Sequence, residues 1–266
     1  MMERLFCDLH IHSCLSPCGD ALMTPNNIAG MAFIKGLDVI AVCDHNSARN
    51  LPAVKAAADR MNVLLLPGME LTTREEAHML CYFRTVQACM AFGKAIYAHL
   101  APTPNNERFF GRQQVMNERD EEIDVEERLL IGALDLPFEA CAARIREAGG
   151  LCVPAHINRG SSGVLGALGF LPQGVHYDAL EVSPAAPLTA DVTGYRLLRS
   201  SDAHSLEQML EREFALEAET RSVDAVFDAI AGADAARLSG FHRFYFRLFC
   251  AVRRRARTGA ADGGRV

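Results

Sequence analysis

The chain contains 266 residues, of which 50% are hydrophobic, and carries a formal net charge of -6. That length accommodates one α/β barrel with a sizeable buried core, while the acidic balance excludes a general electrostatic attraction to nucleic acid. The nine cysteines are odd in number and lie mostly in apolar runs, which predicts reduced thiols rather than a disulfide framework. No signal peptide and no apolar run of about 20 residues is visible, so we expect a cytoplasmic protein that does not contact membranes.

Short apolar runs alternate with longer helical segments along the chain. The apolar runs predict strands at residues 5–12, 37–43, 63–66, 77–83, 151–155, 179–182 and 195–199. Helices are predicted at residues 24–36, 51–61 and 138–148. Thr24 and Pro25 are typical of a helix start, and Gly149 is typical of a helix end. The alternation indicates parallel β/α units, and therefore a barrel or a doubly wound sheet.

Two segments interrupt this pattern. Residues 102–128 are polar and rich in charge, which predicts a solvated helical insertion, with a substrate cap as the alternative. Residues 251–266 contain Arg253, Arg254 and Arg255 followed by small residues, as expected of a frayed basic tail, with a nucleic-acid contact as the alternative. We therefore expect one domain at residues 1–250, interrupted by the insertion, and a flexible tail at residues 251–266.

Histidine and acidic residues recur where the predicted strands begin or end. His10 and His12 alternate along the first strand and so share one face. The later positions are Asp44, His45, Glu70, His78, His156, Asp202 and His204. Each segment alone has an ordinary alternative, such as a structural turn, a surface carboxylate or a hydrogen-bonding histidine. Together they favour a metal centre, because barrel enzymes place functional residues at the carboxyl ends of strands.

The remaining histidines, His99, His176 and His242, are expected to be structural or surface residues. Mixed imidazole and carboxylate ligands suit Zn, Mn or Fe rather than Ca or Mg alone. Two or three such ions held close together could clamp a phosphate and generate hydroxide at neutral pH. Such a site would explain how an acidic protein acts on an anionic substrate.

The order of these motifs resembles one known family. The sequences Asp-Leu-His-x-His-Ser, Asp-His-Asn, Gly-x-Glu, Pro-Ala-His and Ser-Asp-Ala-His follow one another between residues 8 and 204. This order is similar to that of the PHP (polymerase and histidinol phosphatase) family. The resemblance implies a distorted (β/α)7 barrel of the TIM-like type, with a trinuclear metal site at the carboxyl ends of the strands. It also implies hydrolysis of phosphomonoesters or phosphodiesters.

The resemblance further implies a role for each ligand. The implied sets are His10, His12 and Asp202 for the first metal; Glu70 as a bridge, with His78 and His156, for the second; and His45 with His204 for the third. Asp44 would be either a ligand or a partner that orients an imidazole. No obligate protein partner is evident from the sequence.

One position departs from the family pattern. Several members with three metals carry a histidine where this chain has Cys18. A thiolate at that position would favour Zn or Fe over Mn, and a small loop thiol without a metal is the alternative. Asp20, in the same loop, is a weaker candidate ligand.

Two residues after the fourth motif are candidates for substrate binding. Arg159 could bind a phosphate through its forked guanidinium, and Asn158 could add a donor. A surface arginine in a loop is the alternative for Arg159.

We therefore expect a phosphoesterase that hydrolyses a small phosphorylated metabolite, a nucleotide or a short oligonucleotide by metal-activated hydroxide. Its catalytic residues would be Glu70, Asp202, His204 and Arg159, and the leaving oxygen would be protonated by water, His204 or His45. The alternatives are a histidinol-phosphate phosphatase, an amidohydrolase that cleaves C–N bonds, and a non-catalytic polymerase-associated scaffold. An amidohydrolase would use a lysine at a strand end, and a scaffold would lack ligands.

Overall fold

The computed structural model describes residues 2–232. The predicted basic tail at residues 251–266, the domain boundary at residue 250 and His242 lie outside the described residues. The strands in that range are β1 (Glu3–Ile11), β2 (Val39–Val42), β3 (Leu64–Leu65), β4 (Gly68–Thr72), β5 (His78–Tyr82), β6 (Gln114–Met116), β7 (Glu122–Val125), β8 (Leu151–Pro154), β9 (Leu180–Val182), β10 (Leu197–Arg199) and β11 (Ala215–Ala218). The helices are α1 (Pro25–Ile34), α2 (Leu51–Arg60), α3 (Val86–Tyr97), α4 (Glu107–Phe110), α5 (Phe138–Glu147), α6 (Val164–Leu168) and α7 (Val223–Ala231), with one 3₁₀ turn at Leu206–Gln208.

The first three strands form the predicted parallel β/α units. The sheet has the order β11-β1-β2-β3, in which β1, β2 and β3 are parallel and β11 is antiparallel. Helices α1 and α2 provide the crossovers that parallel neighbours require. Helix α1 begins as the sequence predicts, because the Thr24 side chain accepts a hydrogen bond from the backbone N–H of Asn27 and Pro25 occupies the first turn.

Strand β1 is buried on both faces, which explains its nearly continuous apolar sequence. Its residues enter two different packed clusters: Leu5, Cys7 and Leu9 belong to the cluster of Val39, while Phe6 and Ile11 belong to the cluster of Ile40. The sheet therefore lies between two apolar layers.

The prediction that all units are parallel is wrong for the second sheet. In the order β4-β5-β8, strand β5 is antiparallel to both of its neighbours. Only residues 73–77 separate β4 from β5, whereas a parallel connection needs about a dozen residues or more. The chain must therefore turn back as a hairpin.

The overall class is mixed α/β, as predicted. The remaining strand pairs are parallel β9-β10 and antiparallel β6-β7, and within residues 2–232 the pairings form four separate sheets that backbone hydrogen bonds do not close into a ring. The seven-stranded barrel therefore stays a prediction. In the same range, every helix is too short or too polar to cross a membrane.

The predicted helical insertion at residues 102–128 is wrong in its secondary structure. The segment contains a single helical turn, α4, and then the hairpin β6-β7. Gly111 at φ +90° follows the helical turn, and Asp120 at φ +60° lies in the hairpin turn. High charge made the segment resemble a solvated helix, but β6 buries both Val115 and Met116.

Asn50 connects this hairpin to the rest of the chain through hydrogen bonds. Its fully buried amide donates to the carbonyl of Gln114 at 3.1 Å and to Ser13 Oγ at 3.0 Å, and accepts from the N–H of Met116 at 2.9 Å. The hairpin is thereby fixed to the loop that follows β1.

Replacing Asn50 with alanine should lower the free energy of unfolding by about 2 kcal/mol, because the buried groups of Gln114 and Met116 lose their partner. Urea denaturation measures the change. The control is Asn27→Ala, which removes an exposed hydrogen bond to Leu22 and should cost less than about 0.5 kcal/mol. Equal midpoints for the two variants would contradict the anchoring role of Asn50.

Candidate metal centre

The predicted ligands converge at one edge of the sheets. His10 and His12 lie at the end of β1, and His45, just after β2, forms an isolated bridge with Glu70 in β4. His78 is the first residue of β5 rather than its last. Because β5 is antiparallel and His78 pairs with Thr72, its start lies at the same edge as the end of β4.

Three groups of side chains bring their donor atoms within 4.8 Å of one another. The groups are His10 with His12 and Asp202; His45 with Glu70 and His78; and His12 with Cys18, His45 and His204. His12 and His45 each belong to two groups, so the three candidate sites adjoin. The first group is the set that the family resemblance implies for the first metal. The other two differ from the implied sets, because His45 joins Glu70 and Cys18 joins His204.

Glu70 lies at the centre of the cluster and is wholly buried. Its Oε1 is 2.9 Å from His78 Nδ1 and 3.2 Å from His156 Nε2. Its Oε2 is 3.1 Å from His45 Nδ1 and 3.4 Å from His12 Nε2. A carboxylate surrounded by imidazoles on both oxygens has the position that a bridging ligand requires.

Unsatisfied buried atoms support metal binding at this cluster. Within the described residues, His45 Nδ1 and Glu70 Oε2 have no hydrogen-bond partner although both are buried. The Nε2 atoms of His10 and His12 face each other at 3.1 Å. Buried polar atoms without partners are costly, and divalent cations in the adjoining donor groups would satisfy these four atoms. The donor set fits a divalent metal.

The charges of the cluster also support metal binding. The imidazoles of His78, His10 and His45 hold the pKa of Glu70 well below its ordinary value, against the opposing effect of burial. Burial would lower the pKa of His12, but the hydrogen bond to Asp202 and the nearby carboxylate of Glu70 raise it to about 9. The carboxylates therefore demand positive charge, which protons or metal ions can supply.

Two imidazoles are held in the neutral form that a metal requires. Burial, followed by the proximity of His12, lowers the pKa of His204 to about 4. Burial also lowers the pKa of His45 well below its ordinary value, and His12 and His78 lower it further. Their ring nitrogens are therefore available as ligands at neutral pH.

The backbone at the site is strained. His156 has φ +27° and Asp202 has φ +55°, a region that residues other than glycine rarely adopt. Such conformations concentrate at functional sites, where the surrounding structure holds a side chain in a particular direction. Here they direct His156 towards Glu70 at 3.2 Å and Asp202 towards His12 at 3.1 Å.

Asp44 lies outside the three donor groups. Its carboxylate accepts hydrogen bonds from the N–H and Oγ of Ser13, at 2.7 and 2.6 Å, and from Ser16 Oγ at 2.7 Å. Ser16 Oγ in turn lies 2.9 Å from His12 Nδ1. This geometry corresponds to the second of the two predicted roles, a partner that orients an imidazole.

The two predicted substrate-binding residues differ in their surroundings. Arg159 is partly exposed and forms an ion pair with Asp202, so its guanidinium lies at the rim of the cluster. The amide of Asn158 is committed to the backbone: it donates to the carbonyls of Ser183 and Ala186 and accepts from the N–H of Ser183. The donor and acceptor atoms of Asn158 already hold a loop, and its contact with substrate stays a prediction.

Two functional carboxylates were missed at the sequence level. Glu181, in β9, is buried and places both oxygens 3.1 Å from His10 Nδ1. Asp8 accepts hydrogen bonds from the N–H and Oγ of Ser201, and so positions the segment that carries Asp202. The one available signal was a glutamate inside the apolar run 179–182. Outside the donor groups, His99 pairs with Asp135, and His176 lies 3.4 Å from Asp178.

No family model matches the chain. A 5′-3′ exoribonuclease from Haemophilus influenzae is 32% identical over 69 residues, which cover 26% of this chain and 24% of that protein. The aligned segment thus spans about a quarter of the relative's length.

Several solved structures share the fold. The lesion-specific endonuclease PfuEndoQ from Pyrococcus furiosus matches with a TM-score of 0.64 and 22% identity, covering 86% of this chain and 56% of that one. A protein described as a metal-dependent phosphoesterase, from Bifidobacterium adolescentis, matches with a TM-score of 0.53 and 16% identity over 87% of this chain and 98% of that one. An amidohydrolase from Chromobacterium violaceum matches with a TM-score of 0.54 and 19% identity, covering 79% of this chain and 90% of that one. At these identities the likeness establishes a common α/β fold.

Proposed function

We propose that the chain is a metal-dependent phosphoesterase of the PHP type, formed by one domain at residues 1–250 with a tail at 251–266. The observation that carries the proposal is the position of Glu70, whose buried carboxylate lies within 3.4 Å of nitrogens from four histidines. Two or three divalent ions, Mn, Zn or Fe, would be held by the three donor groups around it, with His156 alongside. The substrate would be a small phosphorylated metabolite, a nucleotide or a short oligonucleotide.

Divalent ions in these groups would supply Lewis-acid chemistry and neutralise the negative charge of the phosphate. Glu70 and Asp202 would hold them at a fixed separation. Arg159, at the rim, can exchange its ion pair with Asp202 for a forked contact with phosphate oxygens. His204 is neutral at neutral pH because its pKa is lowered to about 4. It therefore acts as a ligand and not as an acid, and water protonates the leaving oxygen.

The lysines argue against the amidohydrolase alternative. Lys35 donates to the carbonyls of Glu207 and Met209, Lys55 pairs with Asp59 on the surface, and Lys94 is exposed on α3. None of the three lies in the cluster, so no lysine can bridge two metals there. The complete donor groups likewise argue against a non-catalytic scaffold.

A substrate panel tests the proposal. Purified protein, stripped of metal and then loaded with Mn, Zn or Fe, is given phenyl phosphate, bis(p-nitrophenyl) phosphate, histidinol phosphate, a nucleoside 3′,5′-bisphosphate and 5′-phosphorylated RNA. Release of inorganic phosphate or nucleotide that depends on metal is the expected result. Release of ammonia or a carboxylate from C–N substrates, with every phosphoester left intact, would favour the amidohydrolase. Failure to bind any metal would favour the scaffold.

Cys18 should determine which metal the third group prefers. Its sulfur shares a 4.8 Å group with His12, His45 and His204, and a thiolate favours Zn or Fe over Mn. With three ions bound per chain, we expect Cys18→Ser to lose about one of them when Zn is the metal. Cys18→His should restore the total metal content, with a larger fraction of Mn. Elemental analysis after dialysis against equal concentrations of the metals measures both.

The control for these variants is Cys14→Ala. Cys14 lies in the same loop but belongs to none of the donor groups found among the described residues. The metal content of Cys14→Ala should equal that of the parent protein. Unchanged Zn content in Cys18→Ser would contradict the ligand role.

A further inference from the structure

We propose that a cavity beside His78 binds the hydroxyl groups of a sugar whose phosphate lies at the metal centre. This inference rests on the proposed function and names the part of the substrate that the site recognises. The cavity has a volume of about 250 Å³ and adjoins the centre through His78. Its other lining residues are Thr72, Glu76, Ile131, Gly132, Ala133, Ser161 and Ser162.

The buried hydroxyl of Thr72 is the main reason to expect a ligand there. Thr72 is 3% exposed, and its Oγ1 has no hydrogen-bond partner within the described part of the chain. Its backbone is fully engaged, since its N–H donates to Asn46 Oδ1 at 3.2 Å and its carbonyl accepts from Leu134 at 2.9 Å. Thr72 thus lines the cavity and carries a buried hydroxyl without a partner, which a hydroxyl group bound next to it would satisfy.

Two further hydroxyls, those of Ser161 and Ser162, lie in the segment between β8 and α6. The carbonyl of Ser162 accepts a hydrogen bond from the N–H of His78 at 2.8 Å, which ties residues 161–162 to the start of β5. A side chain at Gly163 would approach the carbonyl oxygen of His156 to 2.7 Å, so the loop is folded tightly at this point. Ser161 and Ser162 therefore present their side chains from a constrained backbone.

The charge of the lining decides which part of a substrate enters. Glu76 brings a carboxylate to the cavity, and a carboxylate repels phosphate but accepts hydrogen bonds from hydroxyl groups. Arg159 lies on the side of Asp202 instead. The phosphate is therefore directed to the metal centre and Arg159, and the cavity receives a neutral group.

Size narrows the ligand further. Clefts for drug-sized ligands measure about 300–1,000 Å³, and this cavity is smaller, at about 250 Å³. It has room for one sugar ring rather than for successive units of a polymer. A lining of three hydroxyls and one carboxylate matches the hydroxyl groups of a ribose, present either in a nucleotide or in a free sugar phosphate.

Two adjacent threonines provide a matched experiment. Thr72 and Thr73 are both buried, and both have hydroxyls without a partner, but only Thr72 lines the cavity. Thr72→Val and Thr73→Val remove the same atom and add the same methyl group. The substrates are AMP, ribose 5-phosphate and phenyl phosphate, assayed with Mn-loaded protein.

We expect Thr72→Val to lower kcat/KM for the sugar phosphates about tenfold relative to phenyl phosphate, mainly through KM, as the loss of one hydrogen bond predicts. Thr73→Val should leave the ratio unchanged. Loss with AMP alone would identify a nucleotide as the source of the sugar, and loss with both substrates would identify any ribose phosphate. Equal ratios in the two variants would overturn the inference.

Binding without catalysis separates this inference from the proposed function. Calorimetry with adenosine and with ribose, on metal-free protein, should detect binding to the parent and to Thr73→Val and at least tenfold weaker binding to Thr72→Val. If the parent hydrolyses no phosphoester, the proposed function fails, while this binding still decides the role of the cavity. If neither ligand binds the parent, the cavity is not a sugar site.

Discussion

Replacing Glu70 with glutamine should reduce kcat/KM about a thousandfold, even with Mn in excess. The buried carboxylate contacts His78, His45 and His156 at 2.9, 3.1 and 3.2 Å, and glutamine keeps its shape but loses its charge. If Glu70 bridges two ions as proposed, loss of its charge removes several kcal/mol of stabilisation from charges that develop in the reaction, and 4 kcal/mol is about a thousandfold in rate. Both turnover and metal content should fall.

Thermal unfolding separates loss of metal from misfolding. The parent protein should gain thermal stability when Mn is added, because a ligand that binds only the native state stabilises it. Metal-free Glu70→Gln should unfold at a temperature close to that of the metal-free parent, and Mn should have little effect on it. The control Glu118→Gln, at an exposed position, should behave as the parent. A Glu70→Gln protein with full metal content and parental turnover would refute the bridging role.

Much of this centre could be predicted because its ligands lie in local patterns. His10 and His12 alternate at the end of β1, and strand geometry places such a pair on one side of the chain. Asp202 and His204 repeat that spacing but follow β10 in a loop where Asp202 has φ +55°, so only the motif, and not a strand, indicated them. The prediction therefore did not depend on knowing which strands are neighbours.

Strand direction could not be predicted in the same way. The apolar run that begins at His78 indicates a strand, but whether His78 lies at the correct edge depends on the hairpin between β4 and β5. The residues between them include Glu76, at φ +62°, which is not among the residues that usually mark a left-handed turn. Direction therefore became visible only in the three-dimensional structure.

The insertion failed for another reason. Its charged residues do not pair along a helix: Arg112 bonds Glu122 across the hairpin, and Asp124 and Glu126 pair with Arg49, which lies outside the segment. Partners distant in sequence leave no periodic pattern, so composition alone favoured a solvated helix. The helices α3, α6 and α7 were missed as well.

Glu181 provides the second large prediction, because it contacts a ligand and lies in no donor group. Its two oxygens accept from His10 Nδ1 at 3.1 Å, and one of them also accepts from the N–H of His156 at 2.8 Å. The carboxylate thus fixes the ring of His10 with Nε2 turned towards Asp202, and fixes the backbone of His156 in its strained conformation. We expect Glu181→Gln to weaken Mn affinity 10–100-fold, as is typical when the partner of a ligating histidine is changed.

The response to added metal distinguishes positioning from ligation. In Glu181→Gln the carbonyl oxygen can keep the bond to the N–H of His156, but an amide donor replaces the other oxygen beside His10 Nδ1 and the negative charge is lost, so the ring of His10 is held less firmly in its direction. The donor atoms remain present, so excess Mn should restore kcat to within about threefold of the parent. Glu70→Gln should not recover under the same conditions. Titration of activity with Mn measures both variants beside Glu219→Gln, an exposed control; parental Mn affinity in Glu181→Gln would show that His10 needs no orientation by β9.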